Sequence, residues 1–120
     1  MNSKLFLIIC GGLLLACGPS KKLTTDNTIN HDNTVHLQGL EVIRKSDCYT
    51  CHSLDNKLIG PSFLQIARKY ELNEKNTDIL SKKIISGGSG VWNNIPMTPH
   101  SALTDSDIKE AVKYILSLKK

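Results

Sequence analysis

Nothing in this chain of 120 residues alternates apolar and polar side chains over the four to eight positions a half-buried strand needs. A sheet-built domain is therefore without its signature. No segment repeats at a fixed period, so a solenoid has no basis either. Charge of one sign is also scarce: Lys+Arg 15 against Asp+Glu 11 leaves a net +4, too mild for a nucleic-acid-binding surface. The apolar run from Leu5 to Ala16 is shorter than the roughly 17–25 residues of a bilayer-spanning helix. Cysteine and methionine are few, Cys 4 and Met 2, and each of them counts.

Two of the cysteines stand in Cys48-Tyr49-Thr50-Cys51-His52. This C-x-x-C-H run is the attachment signature of a covalent c-type haem. Two thiols on one turn of chain each add across a vinyl group on the porphyrin edge. The adjacent imidazole then takes one axial position on iron. The competing reading is half of a zinc site, which would need two further His or Cys ligands at a recognisable spacing. His36 and His100 offer none.

The other two cysteines belong to the first segment. A short stretch carrying Lys4 precedes the apolar run, which ends Leu14-Leu15-Ala16-Cys17-Gly18. That is the layout of a secretory signal over residues 1–16, with cleavage before Cys17 and lipidation of that cysteine. An uncleaved anchor helix is the alternative. With Cys10 removed and Cys17 acylated, only Cys48 and Cys51 remain, and no disulfide framework is left in an exported chain.

Residues 18–34 are rich in Asn, Thr, Asp and Lys, with only Leu23 and Ile29 large and apolar. Such a stretch buries too little to fold. Residues 17–34 are read as the lipidated cysteine and a flexible tether, with a reach of roughly 20–25 Å. Lys21 and Lys22 are either headgroup contacts or a solvated pair. Residues 35–120 form one small all-α domain whose core is marginal without a bound porphyrin.

Helical periodicity places about four helices in it. Leu37, Leu40, Val42 and Ile43 predict one running into the haem motif. Pro61 opens a second bearing Phe63, Leu64, Ala67 and Tyr70. Asn76 or Thr77 caps a third carrying Ile79, Leu80, Ile84 and Ile85, halted at Gly87-Gly88. Thr104-Asp105-Ser106-Asp107 caps a fourth with the stripe Ile108, Ala111, Val112, Ile115 and Leu118.

A six-coordinate haem needs a partner for His52. With Met1 lost, Met97 is the one methionine of the mature chain, held between Pro96 and Pro99 in a loop whose freedom those prolines restrict. Its alternative is a gap-filling core residue. His100, then His36 and His31, are rivals that would give bis-histidine iron.

Taken together, the C-x-x-C-H run, Gly60-Pro61-Ser62-Phe63, Ile84 through Trp92, and Ile95-Pro96-Met97 resemble the small bacterial class I c-type cytochromes of the c551/c552 type. The resemblance runs from about residue 36 to the C-terminus. It implies a compact class I fold around one covalently attached haem c, with His52 and Met97 axial to iron. It also implies that the Pro61 carbonyl orients the His52 ring and that the Trp92 indole donates to a haem propionate, core packing being the plain alternative for Trp92. Thr98 and His100 depart from the Pro and Asn often found near those positions, which affects the potential rather than the assignment.

The function expected from this reading is single-electron transfer between redox protein partners in the bacterial envelope. The carrier would be a periplasmic monomer held to a membrane through Cys17, and not an enzyme. Lys45, Lys82 and Lys83 are a docking rim for an acidic partner, or ordinary solvated lysines. The competing readings are a haem enzyme or gas sensor with a displaceable sixth ligand, and a haem subunit of a larger oxidoreductase complex.

Overall fold

The computed structural model describes residues 31–118. The expected signal segment, Cys17 and the tether as far as residue 30 lie outside the described residues. The described elements are all helical: α1 (His31–Lys45), α2 (Cys48–Cys51), α3 (Phe63–Lys69), α4 (Glu74–Ser86) and α5 (Asp105–Ser117). One isolated antiparallel bridge joins Gly88 to Met97. Among the described residues no helix is long and apolar enough to cross a membrane.

There are five helices rather than about four because α1 stops at Lys45 instead of running into the C-x-x-C-H segment, which forms its own short helix. At the other end, α1 starts at His31, so residues 31–34, assigned by composition to the tether, are helical. Adding a turn to a helix that is already nucleated needs only about one hydrogen bond per residue fixed.

Helix α5 is the spine. Its buried positions Ile108, Ala111, Val112, Ile115 and Leu116 recur at helical spacing. Leu118, expected to complete that stripe, is instead the half-buried C-cap, and Leu116 takes the place. One side of α5 packs with Ile43 of α1 and Phe63 of α3. The other side gathers Leu80, Ile84 and Ile85 of α4 around Ile108, Val112 and Leu116. Thr104 caps α5 as expected, its hydroxyl accepting from the Asp107 amide at 3.1 Å.

Two expected caps move. Asn73, not Asn76 or Thr77, caps α4: its side-chain oxygen accepts from the Asn76 amide at 2.9 Å. Thr77 lies inside the helix, its hydroxyl donating to the Asn73 carbonyl. In α3, Pro61 stands one residue before the cap, and Ser62 is the N-cap. The Ser62 hydroxyl accepts from the Gln65 amide while the Gln65 side chain accepts from the Ser62 amide. The Phe63 and Leu64 amides donate to the Ser53 and Leu54 carbonyls. The first four amides of α3, which have no partner within the helix, are thereby all satisfied. Helix α4 ends at Gly87 (φ 66), as expected.

Leu37, expected in the core, is 68% exposed. The tight point of α1 is Gly39 instead, buried against α5. A Cβ there would clash with the Glu110 carbonyl oxygen and lie 2.6 Å from the Tyr114 Cβ. Glycine is thus what lets the two backbones approach. Gly39→Ala is expected to destabilise the protein by about 1–3 kcal/mol. That outweighs the roughly 1 kcal/mol that alanine would add in a free helix. Denaturant midpoints measure it, and an unchanged or higher midpoint would refute the close crossing.

Candidate functional site

Between the two sides of the core lies an apolar cleft. Its walls include Ile43, Phe63, Ile66, Ile108 and Val112, and its rim includes Ile59, Val91, Trp92 and Ile95. Cys48, Cys51 and His52 lie on the α2 side. Met97 lies on the segment that follows α4. Residues far apart in sequence thus share one apolar cavity, with two thiols, an imidazole and a thioether as its distinctive groups.

The His52 ring is fixed on three sides. Its Nδ1 is 2.6 Å from the Pro61 carbonyl oxygen. That oxygen can only accept, so Nδ1–H donates; in the neutral ring this tautomer leaves Nε2 with the lone pair. The ring stacks on Phe63, centroids 5.6 Å apart and planes inclined by 16°. Phe63 in turn packs edge-on to Tyr49. Gly60 closes the third side: a Cβ there would collide with the ring, 2.8 Å from Nδ1. The loop holding Gly60 and Pro61 is tied back by the Gly60 amide, which donates to the Cys51 carbonyl at 2.8 Å. Pro61 was expected from the family resemblance. The Phe63 stack and the Gly60 approach were not, and no local pattern signals either one.

Cys48 and Cys51 are both half-buried and are not paired in a disulfide. Burial, and secondarily the negative charge of Asp47, push the Cys48 thiol up. Among the described residues no three His, Cys, Asp or Glu side chains could hold one metal ion, so Cys48, Cys51 and His52 do not converge as zinc ligands would. The residues present fit a covalent haem: two thiols, an imidazole and a thioether share one cleft with apolar walls.

Met97 is half-buried. The sequence attributes its placement to the flanking prolines, and the structure adds a stronger restraint. The Met97 amide donates to the Gly88 carbonyl at 3.1 Å, and the Gly88 amide donates to the Met97 carbonyl at 2.9 Å. Two residues past the end of α4, this bridge fixes the Met97 backbone on the helix that carries Leu80 and Ile84.

Trp92 lines the cleft at its mouth, 36% exposed. The Lys69 ammonium lies 5.4 Å from its ring centroid, a cation–π contact. Lys83, expected on a docking rim, lines the cleft, its ammonium donating to the Ser89 carbonyl. Lys45 pairs with Glu41 on the surface, and Lys82 is exposed.

The rival histidines part company here. His36 is not in the cleft; its ring is near Ser117 and edge-on to Tyr114. The His31 side chain lies outside the described residues. His100 does line the cleft, but its Nε2 is 2.8 Å from the Asp47 carboxylate. The His100 hydrogen bond, then its charge, holds the Asp47 carboxyl below its usual range.

The chain was compared with known proteins. The family model described as "Cytochrome c" matches residues 37–119. Cytochrome c-552 of Hydrogenobacter thermophilus is 38% identical over 79 residues, covering 66% of this chain and 80% of that protein. Cytochrome c-551 of Azotobacter vinelandii is 37% identical over 81 residues, covering 68% of this chain and 98% of that protein. The crystal structure of Nitrosomonas europaea cytochrome c552 superposes with a TM-score of 0.63 at 38% identity, covering 67% of this chain and 99% of that one.

Proposed function

The chain belongs to the cytochrome c family, carries one covalently attached haem c and transfers electrons rather than transforming a substrate; on that premise we propose how its residues do so. Cys48 and Cys51 form the thioether bonds. His52 Nε2 and the Met97 sulfur would be the protein's two donors to its iron. The observation that carries this reading is the placement of both donors and both thiols on one apolar cleft, with the His52 lone pair set by the Pro61 carbonyl. Bound there, haem supplies an iron that cycles between ferric and ferrous states.

The chain's own part is to hold that iron still and dry. The Pro61 carbonyl and the Phe63 ring keep His52 in one tautomer and one plane, which is how outer groups tune a ligand's strength. The Gly88–Met97 bridge holds the opposite donor. With two protein ligands in place, no position is open to substrate. Ile59, Val91 and Ile95, exposed at the rim of the cleft, would form the face through which electrons reach the haem. Trp92, at the same mouth, would offer its indole N–H to a haem propionate. The carrier is periplasmic and monomeric, lipid-anchored through Cys17, with redox proteins as donor and acceptor and Lys45 and Lys82 as steering charges at most.

An optical redox titration of the purified holoprotein tests this. The expected result is a single one-electron Nernst curve, with the reduced protein slow to take up CO. Rapid CO binding by the unmutated protein would mean an open or displaceable sixth position, and the carrier reading would give way to a sensor or enzyme.

A further inference from the structure

Asp47 occupies the N-cap position of α2, the helix that carries both cysteines. An aspartate there ordinarily accepts from the second or third amide of the helix. Asp47 makes no such bond. Its carboxylate is turned outward and accepts from His100 at 2.8 Å, across 53 residues of chain. The local cap is given up for a contact to the far wall of the cleft.

What lies on that wall is the segment carrying Met97. Its backbone restraints run to α4 alone: the Gly88–Met97 bridge, and the His100 amide donating to the Ile84 carbonyl at 2.9 Å. These fix the loop on α4 without fixing it relative to His52. Two side-chain hydrogen bonds among the described residues cross from this segment to the wall that carries Cys48, Cys51 and His52. The Asn93 amide donates to the Ile59 carbonyl at 3.3 Å, and His100 donates to Asp47. Met97 lies between Asn93 and His100 in sequence, so the two bonds hold it from either side. The His100 bond is the shorter and has an ionised acceptor, the stronger class of hydrogen bond. The His100 side chain is 16% exposed, and its Nδ1 is buried without a hydrogen-bond partner among the described residues. The ring is therefore held through Nε2 alone.

We infer that Asp47 and His100 are a positioning pair that clasps the Met97 segment to the cysteine-bearing helix and keeps the sulfur at the iron. The inference rests on the reading of Met97 as sixth ligand. The clasp acts on the equilibrium between sulfur-bound and sulfur-detached iron, not on electron transfer itself. Neither residue touches the iron.

The test uses the full-length holoprotein and the variants Asp47→Ala, His100→Ala and the double variant, with Asp47→Asn as a mild form that keeps an acceptor oxygen. Two readouts apply: the rate at which the reduced protein binds CO, and the temperature at which the weak far-red band that reports sulfur bound to ferric iron is lost. Far-UV circular dichroism follows global unfolding alongside. Each alanine variant is expected to bind CO about threefold to tenfold faster, the detached population rising by that factor. The band should be lost at a lower temperature, well before the helices melt. The double variant should be no faster than either single, because the second change removes a bond already broken. Asp47→Asn should fall in between. Unchanged CO rates in both single variants, or additive effects in the double, would overturn the clasp while Met97 ligation stands. A parent protein without the far-red band would overturn Met97 ligation and the clasp with it.

Discussion

Met97→Ala is expected to abolish the weak far-red band of sulfur bound to ferric iron and to lower the reduction potential by on the order of 0.1 V, within the roughly 0.8 V that axial ligands span. A neutral thioether is a soft donor that favours the ferrous state, so its loss favours the ferric one. The reduced variant is expected to bind CO readily, since a position on iron is then open. The bonds that place residue 97 are made by its amide and carbonyl, and alanine keeps both. The segment should therefore keep its course while losing its donor.

Met97→Leu separates this from packing. Leucine nearly conserves the volume, a kind of swap that usually costs under about 1.5 kcal/mol in a core, yet it offers no lone pair. If Met97 is a ligand, Leu and Ala should give the same spectral loss with different stabilities. If it is a gap-filler, Ala should cost roughly 2–5 kcal/mol and leave the parent spectrum intact. A far-red band persisting in Met97→Leu would settle the matter against ligation.

The proposed haem motif is legible in the sequence because the chemistry it would serve is covalent and local. Cys48, Cys51 and His52 fall within five residues, the close spacing that reaching one porphyrin edge would need. The stripe on α5 was legible for a related reason: one helix packed on two sides must repeat every three to four residues, and Ile108 through Ile115 do. The cap of α3 was readable as well, since Ser62 and Gln65 stand at capping-box spacing, although the adjacent Pro61 drew the helix start to itself. Asn73 and Asn76 compete on equal intrinsic terms, since each is followed by an acidic residue in the first turn, Glu74 or Asp78.

What sequence could not show is contact between distant segments. A glycine inside a helix reads as a weakness, and only the nearby Glu110 carbonyl explains Gly39. The Phe63 stack on His52, the Gly88–Met97 bridge and the Asp47–His100 bond likewise join segments whose meeting depends on the whole fold. His100 is the instructive residue. It was weighed as a possible ligand, and it stands at the cleft, where its Nε2 is engaged by the Asp47 carboxylate.

The second large effect concerns the fold itself. The chain with Cys48→Ala and Cys51→Ala, purified without haem, is expected to lose its near-UV dichroism, much of its helix signal and its cooperative melting. The same residues that build the core, Ile43, Phe63, Ile108, Val112 and Ile115, also line the cleft. Ile59, Val91, Trp92 and Ile95, which also line the cleft, are exposed side chains that a haem seated there would cover. Removing several hundred Å² of apolar contact at about 25 cal/mol per Å² forfeits on the order of 10 kcal/mol. Small domains rarely hold more than about 5–15 kcal/mol in total, and this one is under ninety residues, where a core is least able to stand alone. Closing the cleft offers no escape, because α1 and α5 are already in contact at Gly39 and cannot move further inward. A haem-free double variant that melts cooperatively near the holoprotein's midpoint would show that the helices hold one another unaided. Loss of cooperativity would mean that the cofactor is the larger part of this protein's interior, and that folding and electron carriage depend on one covalent event.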